Sequence, residues 1–114
     1  TPARTLLTDW IASFDATRAG PRADAVVRFL FLDLAGEAWG VQVRDGRAQL
    51  VPDPRGSVRG ADATVLIDRY TWALVLSGEN SSLEAVEQGM ATVLGDRAVA
   101  QRFFGWFGPA AAVR

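Results

Sequence analysis

Ala61-Asp62-Ala63-Thr64-Val65-Leu66-Ile67, Leu76-Ser77-Gly78-Glu79, Glu87-Gln88-Gly89-Met90-Ala91-Thr92-Val93-Leu94-Gly95-Asp96 and Arg102-Phe103-Phe104-Gly105-Trp106-Phe107 follow one another in the last third of this chain, and their reading decides the fold. In order they spell a short strand, a pair of helices, a second short strand and a closing helix. Ala63, Val65 and Ile67 alternate as one face of a strand. Asp68 is placed to cap a helix running through Trp72 and Leu76 to Gly78. Ser81-Ser82-Leu83-Glu84 has the spacing of a capping box for a second short helix ending at Gly89, ahead of a strand over Met90–Leu94. Asp96 caps the last helix, with Gly108-Pro109 as its expected stop. In that helix Val99, Ala100, Phe103, Phe104, Trp106 and Phe107 cover roughly 160° of arc, wider than the stripe a surface helix usually buries. Surplus apolar surface on a small domain calls for a lipid, a membrane or another protein surface.

Upstream, Leu6, Leu7, Trp10, Ile11 and Phe14 line one side of a first helix that Gly20-Pro21 stops. Ala25–Leu34 reads as a central strand covered on both faces. Ala25, Val27, Phe29 and Phe31 form one face, and Val26, Leu30, Leu32 and Leu34 the other. Trp39, Val41 and Val43 alternate with Gly40, Gln42 and Arg44, giving one dry and one wet face. Asp45-Gly46 is a two-residue hairpin signal that returns the chain into Arg47–Val51. Pro52–Gly60 is long enough to cross over and begin a strand elsewhere in the sheet. The pattern predicts an α+β fold: a five-stranded mixed sheet packed against helices, in the order α-β-β-β-(crossover)-β-α-α-β-α. All 114 residues are expected to form one domain, with residues 110–114 a frayed tail.

The chain has no Cys, no His and no Lys, and its formal net charge is -1. Arg residues are scattered from Arg4 to Arg114, so no basic stripe favours nucleic acid. Without thiolate or imidazole, the usual cysteine, serine–histidine and zinc chemistries lack their residues within this sequence. The longest apolar runs are too short to span a bilayer. Arg used to the exclusion of Lys suggests a GC-rich bacterial genome. No signal peptide is visible, although the chain begins at Thr1, and the expected location is cytoplasmic.

This order of elements, carrying Phe31–Trp39, Asp45-Gly46, Ala61-Asp62-Ala63-Thr64-Val65, Leu76-Ser77-Gly78-Glu79, Gly89-Met90 and Gly95-Asp96, resembles the sterol carrier protein type 2 family of lipid-binding domains. The resemblance runs from about Leu6 to Phe107. It implies a hydrophobic tunnel between sheet and helices that accepts fatty acids, acyl-CoA or sterol-like lipids, with no cofactor and no chemistry of its own. It also implies an alternative, because similar domains form C-terminal modules of bacterial enzymes such as mycothiol-dependent maleylpyruvate isomerases, alkyl sulfatases and N-acetyltransferases. The terminal Ala-Val-Arg departs from a Ser-Lys-Leu-type address, so peroxisomal targeting is not expected.

The candidate ligand-binding residues are Phe29, Phe31, Trp39, Val41, Leu66, Trp72, Leu76, Met90, Phe103, Phe104, Trp106 and Phe107. Each would also serve an ordinary core. Trp39 and Trp72 suit the edge of an apolar cavity, where an indole N–H still finds an acceptor. Phe103 and Phe107 are expected to face the cavity, with Phe104 or Trp106 at its mouth. Arg55, Arg59, Arg97 and Arg102 read as solvated charges able to meet an anionic head group. Glu84 and Glu87 stand one turn apart and read as a water-facing pair. Tyr70 and Ser77 have no visible activating base. Asp45, Asp53, Asp62 and Asp68 do not reproduce a calcium-loop spacing, so no metal site is expected. The sequence therefore predicts a non-catalytic binder of a hydrophobic small molecule or lipid. Transient membrane contact, a homodimer or a parent enzyme domain are its further partners.

Overall fold

The computed structural model describes residues 3–34, 37–52, 61–77 and 87–107. Its elements are α1 (Ala3–Ile11), α2 (Ala16–Ala19), β1 (Ala25–Phe31), β2 (Glu37–Arg44), β3 (Arg47–Pro52), β4 (Ala63–Ile67), α3 (Arg69–Ser77), β5 (Thr92–Gly95) and α4 (Arg97–Phe104). The strands form one sheet in the order β3-β2-β1-β4-β5. β1 pairs antiparallel with β2 and parallel with β4, so the sheet is mixed as the sequence predicts. Asp45 (φ 55°) and Gly46 (φ 74°) make the left-handed turn that the β2–β3 hairpin requires, and Arg44 faces Arg47 across it.

Alternation sorts the sheet into two unlike faces. Ala25, Val27, Phe29 and Phe31 of β1, Val41 and Val43 of β2, and Ala63, Val65 and Ile67 of β4 are buried on one of them. α1 and α4 pack on that face, α1 against β2 and β3 and α4 against β1, β4 and β5, with α1 also meeting α3. The expectation that β1 is covered on both sides is corrected. β1 is central, but Val26 and Leu30 on its other face are only half-buried, and no described element lies over them. The strand also stops at Phe31; Leu32–Leu34 turn away, leaving Leu32 61% exposed.

Two helix boundaries differ from the sequence reading. α1 ends at Ile11, and Asp15 starts a separate short helix by accepting from the Thr17 and Arg18 amides at 2.9 and 3.2 Å. At the other end, α4 stops at Phe104 with Gly105 as its C-cap, ahead of the expected Gly108-Pro109. The two predicted caps within the described residues do form: Asp68 accepts from the Thr71 amide at 2.7 Å, and Asp96 from the Val99 amide at 3.1 Å. The β5 strand begins at Thr92, two residues later than Met90. The crossover over 53–60, the capping box at Ser81–Glu84 and the tail lie outside the described residues.

Candidate functional site

The space between sheet and helices is occupied by a network of aromatic rings with Trp10 at its centre. From α1, the Trp10 ring meets Phe29 of β1 edge-on at 5.3 Å and Trp72 of α3 edge-on at 4.9 Å. Phe103 and Phe104 of α4 approach it at 5.9 and 6.2 Å. Phe107 stacks on it at 3.9 Å with the planes 20° apart. Offset and edge-to-face pairs of this kind contribute ~0.5–1.5 kcal/mol each beyond area burial.

The early end of α4 explains where its surplus rings go. Trp106 and Phe107 are not on a helix; they lie in the turn after it. The Asp15 amide donates to the Trp106 carbonyl at 2.8 Å, fixing that turn beside the start of α2. Phe107 is thereby folded across α1, between Trp10 and Phe14. Trp106 stays half-buried against Phe103, at 5.7 Å.

Most of the residues singled out in the sequence meet in this layer. Phe29, Phe31, Val41, Trp72, Phe103, Phe104 and Phe107 are buried there. Trp39 is half-buried and packed against the same core, with its Nε1 donating to Glu37 Oε1 at 2.8 Å. Met90 and Trp106 are half-buried at its margin. Phe103 and Phe107 touch Trp10 and each other, so the expected split between cavity-facing and mouth residues becomes one of depth: Phe104 is buried with them and Trp106 alone is partly open. Leu66 is a correction. It pairs with Leu30 and Thr92 on the side of the sheet that no described helix covers, because alternation puts its neighbours Val65 and Ile67 inward. The Leu76 side chain lies outside the described residues. Trp10 and Phe14 belong to the layer too. Their only signal in the sequence is their place on the α1 stripe, which any core helix would share.

The charged candidates divide between structure and solvent. Asp62 is a clasp: its Oδ2 accepts from the Val26 amide at 2.9 Å, its amide donates to the Val26 carbonyl at 2.7 Å, and its carbonyl accepts from the Asp96 amide at 2.9 Å. The Ala61-Asp62-Ala63 and Gly95-Asp96 motifs are thus two halves of one junction joining β1, β4 and β5. Arg97, Arg102, Glu87 and Tyr70 are exposed; Arg55, Arg59, Asp53 and Glu84 lie outside the described residues. Asp33, in the β1–β2 turn, accepts from Arg69 Nε at 2.8 Å and from the Arg69 amide at 3.2 Å. The Arg69 side chain holds the Asp33 carboxyl below the usual carboxylate range, and the Arg18 amide does the same for Asp15.

Two clefts among the described residues are surface features beside the hairpin. One, about 510 Å³, is lined by Gln42, Arg44, Asp45, Arg47 and Gln49. The other, about 430 Å³, is lined by Ala16, Thr17, Gly20, Pro21, Asp45 and Gly46. Neither includes a ring of the aromatic layer. No helix of the described residues is long and apolar enough to cross a membrane.

The mixed sheet of order β3-β2-β1-β4-β5 with α1 and α4 packed on one face has the fold of solved sterol carrier protein 2-like structures. The solution structure of palmitated sterol carrier protein 2-like 2 from Aedes aegypti matches with a TM-score of 0.66 and 19% identity, covering 92% of this chain and 93% of that one. The chain belongs to the alkyl sulfatase C-terminal family, whose model matches residues 5–112. It is 33% identical over 108 residues to a linear primary-alkylsulfatase of Pseudomonas sp., covering 93% of this chain and 19% of that relative. A solved stereoselective inverting sec-alkylsulfatase, also from Pseudomonas sp., matches with a TM-score of 0.71 and 22% identity, over 90% of this chain and 16% of that one. The chain therefore spans only a small part of the enzymes it matches.

Proposed function

We propose that this chain is the tail-binding module of a larger enzyme of the alkylsulfatase kind. It holds the alkyl portion of an amphiphile against the aromatic layer while bond cleavage takes place elsewhere in the protein. The observation that carries this reading is the layer itself, with Trp10, Phe29, Trp72, Phe103 and Phe107 gathered between sheet and helices and Trp39, Met90 and Trp106 half-open at its margin. A neighbour of the same fold was solved in palmitated form, and the family of the chain is that of an alkyl sulfatase C-terminal region. Both support an apolar tail as cargo. Burial of that tail supplies affinity at ~0.8 kcal/mol per methylene, about fourfold per carbon.

Binding of a series of linear alkyl chains to the 114-residue chain, read by tryptophan fluorescence, tests the reading. Affinity is expected to climb with each added carbon and then level off where the site ends. A response independent of chain length would overturn it. Native mass spectrometry gives a second readout: lipid carried through purification supports the module, whereas an empty, tightly associated dimer favours a purely dimerising role.

A further inference from the structure

The aromatic layer contains a polar atom that its described neighbours leave unsatisfied. Trp72 is 1% exposed, and no described residue accepts a hydrogen bond from its Nε1. A buried indole N–H ordinarily has a partner, and even the half-buried Trp39 has one in Glu37. Phe at this position would fill much of the same space without stranding a donor.

The surroundings of Trp72 say what kind of partner would suit it. Its ring sits where α1, α3 and β1 meet, edge-on to Trp10 at 4.9 Å and 76°, and inclined to Phe29 at 5.2 Å and 56°. Ahead of it on α3, the Arg69 guanidinium and amide are directed to Asp33, and Asp68 is engaged with the Thr71 amide. Among the described residues Thr71 is the one buried polar side chain, and none that is buried carries a charge. An ionic head group brought to this junction would give up its hydration with no opposite charge among the buried described residues to meet it. A neutral oxygen loses far less water and supplies the acceptor that the indole lacks.

We propose that the Trp72 Nε1–H is the polar anchor of the layer, donating to an uncharged oxygen on a long-chain ligand, of which a fatty alcohol is the simplest example. This rests on the tail-binding reading and adds the polarity of the head to it. An alkyl sulfate and the alcohol left when its sulfate is removed share a tail but differ in charge, and this site selects the neutral partner.

The test compares 1-decanol, decane and decyl sulfate binding to the wild-type chain and to Trp72→Phe. Affinity for 1-decanol is expected to fall roughly tenfold more than that for decane in the variant, the decane loss reporting the packing that the smaller ring gives up. In the wild-type protein, the Trp72 indole proton resonance should move downfield with 1-decanol and stay in place with decane. That readout holds even where the variant folds poorly. Equal loss of decanol and decane affinity, an unmoved indole resonance, or tighter binding of decyl sulfate than of 1-decanol would each overturn the anchor. Failure of wild type to bind any of the three would overturn the tail-binding reading itself.

Discussion

Gly95 shows how tightly one position is fixed. Its φ is +91°, and a Cβ there would lie 2.9 Å from the Asp62 carbonyl oxygen and 3.2 Å from the Ala63 Cα. Both obstacles are backbone, which cannot swing aside as a side chain does. Gly95→Ala is expected to cost about 2 kcal/mol or more, seen as a lower urea midpoint with an unchanged slope. The Gly95-Asp96 pair was legible as a turn because glycine ahead of a capping aspartate has a local meaning. Its partnership with Asp62 was not, since Asp96 lies 34 residues from Asp62 and nothing local reports a hydrogen bond across strands. Leu66 shows the opposite case: alternation with Val65 and Ile67 marks it as outward-facing, and only its apolar character argues for the interior.

Between elements, the decisive contact is the one that brings the turn after α4 onto α1. Phe107 is buried on Trp10 while Trp106, next to it, remains partly open. Phe107→Ala is expected to destabilise by ~3–5 kcal/mol and Trp106→Ala by about half as much, measured by thermal or denaturant unfolding. Equal losses would mean that the turn does not hold Phe107 inward. Strand faces and the hairpin were readable because period-two patterns and Asp-Gly turns are set by local sterics. Helix ends were harder. Phe14 extends the α1 stripe whether or not the backbone stays helical, and Trp106 and Phe107 likewise fit a continued α4. Asp15 was the overlooked cue, a capping side chain three residues before Arg18, which it also pairs with at 3.2 Å. The ring layer was legible as a set of residue types. Its centre at Trp10 was not, because that emerges only when three helices and a sheet converge.

At the scale of the whole molecule, the lack of histidine shapes the response to pH. No side-chain type with an unperturbed pKa between pH 5 and 8 is present, so unfolding free energy is expected to be level across that window. Asp33 and Asp15 are held below their unfolded values, so the stability they contribute is complete above the unfolded carboxylate range and is lost as pH falls through their lowered pKa values. Denaturant midpoints measured from neutral to acid should show a plateau and then a descent below about pH 4. Asp33→Asn should shrink that acid descent, because it removes one of the titrating groups.

The two outermost strands also determine how the molecule meets others. β3 closes with Pro52, which has no amide to offer, and opens with the charged Arg47; β5 is four residues long and ends in Gly95. Such borders make poor templates for a neighbouring chain seeking a strand to extend. Association with another protein surface is therefore expected to proceed by side chains fitting against side chains, and the protein can keep an oily interior without inviting fibrils along its rims.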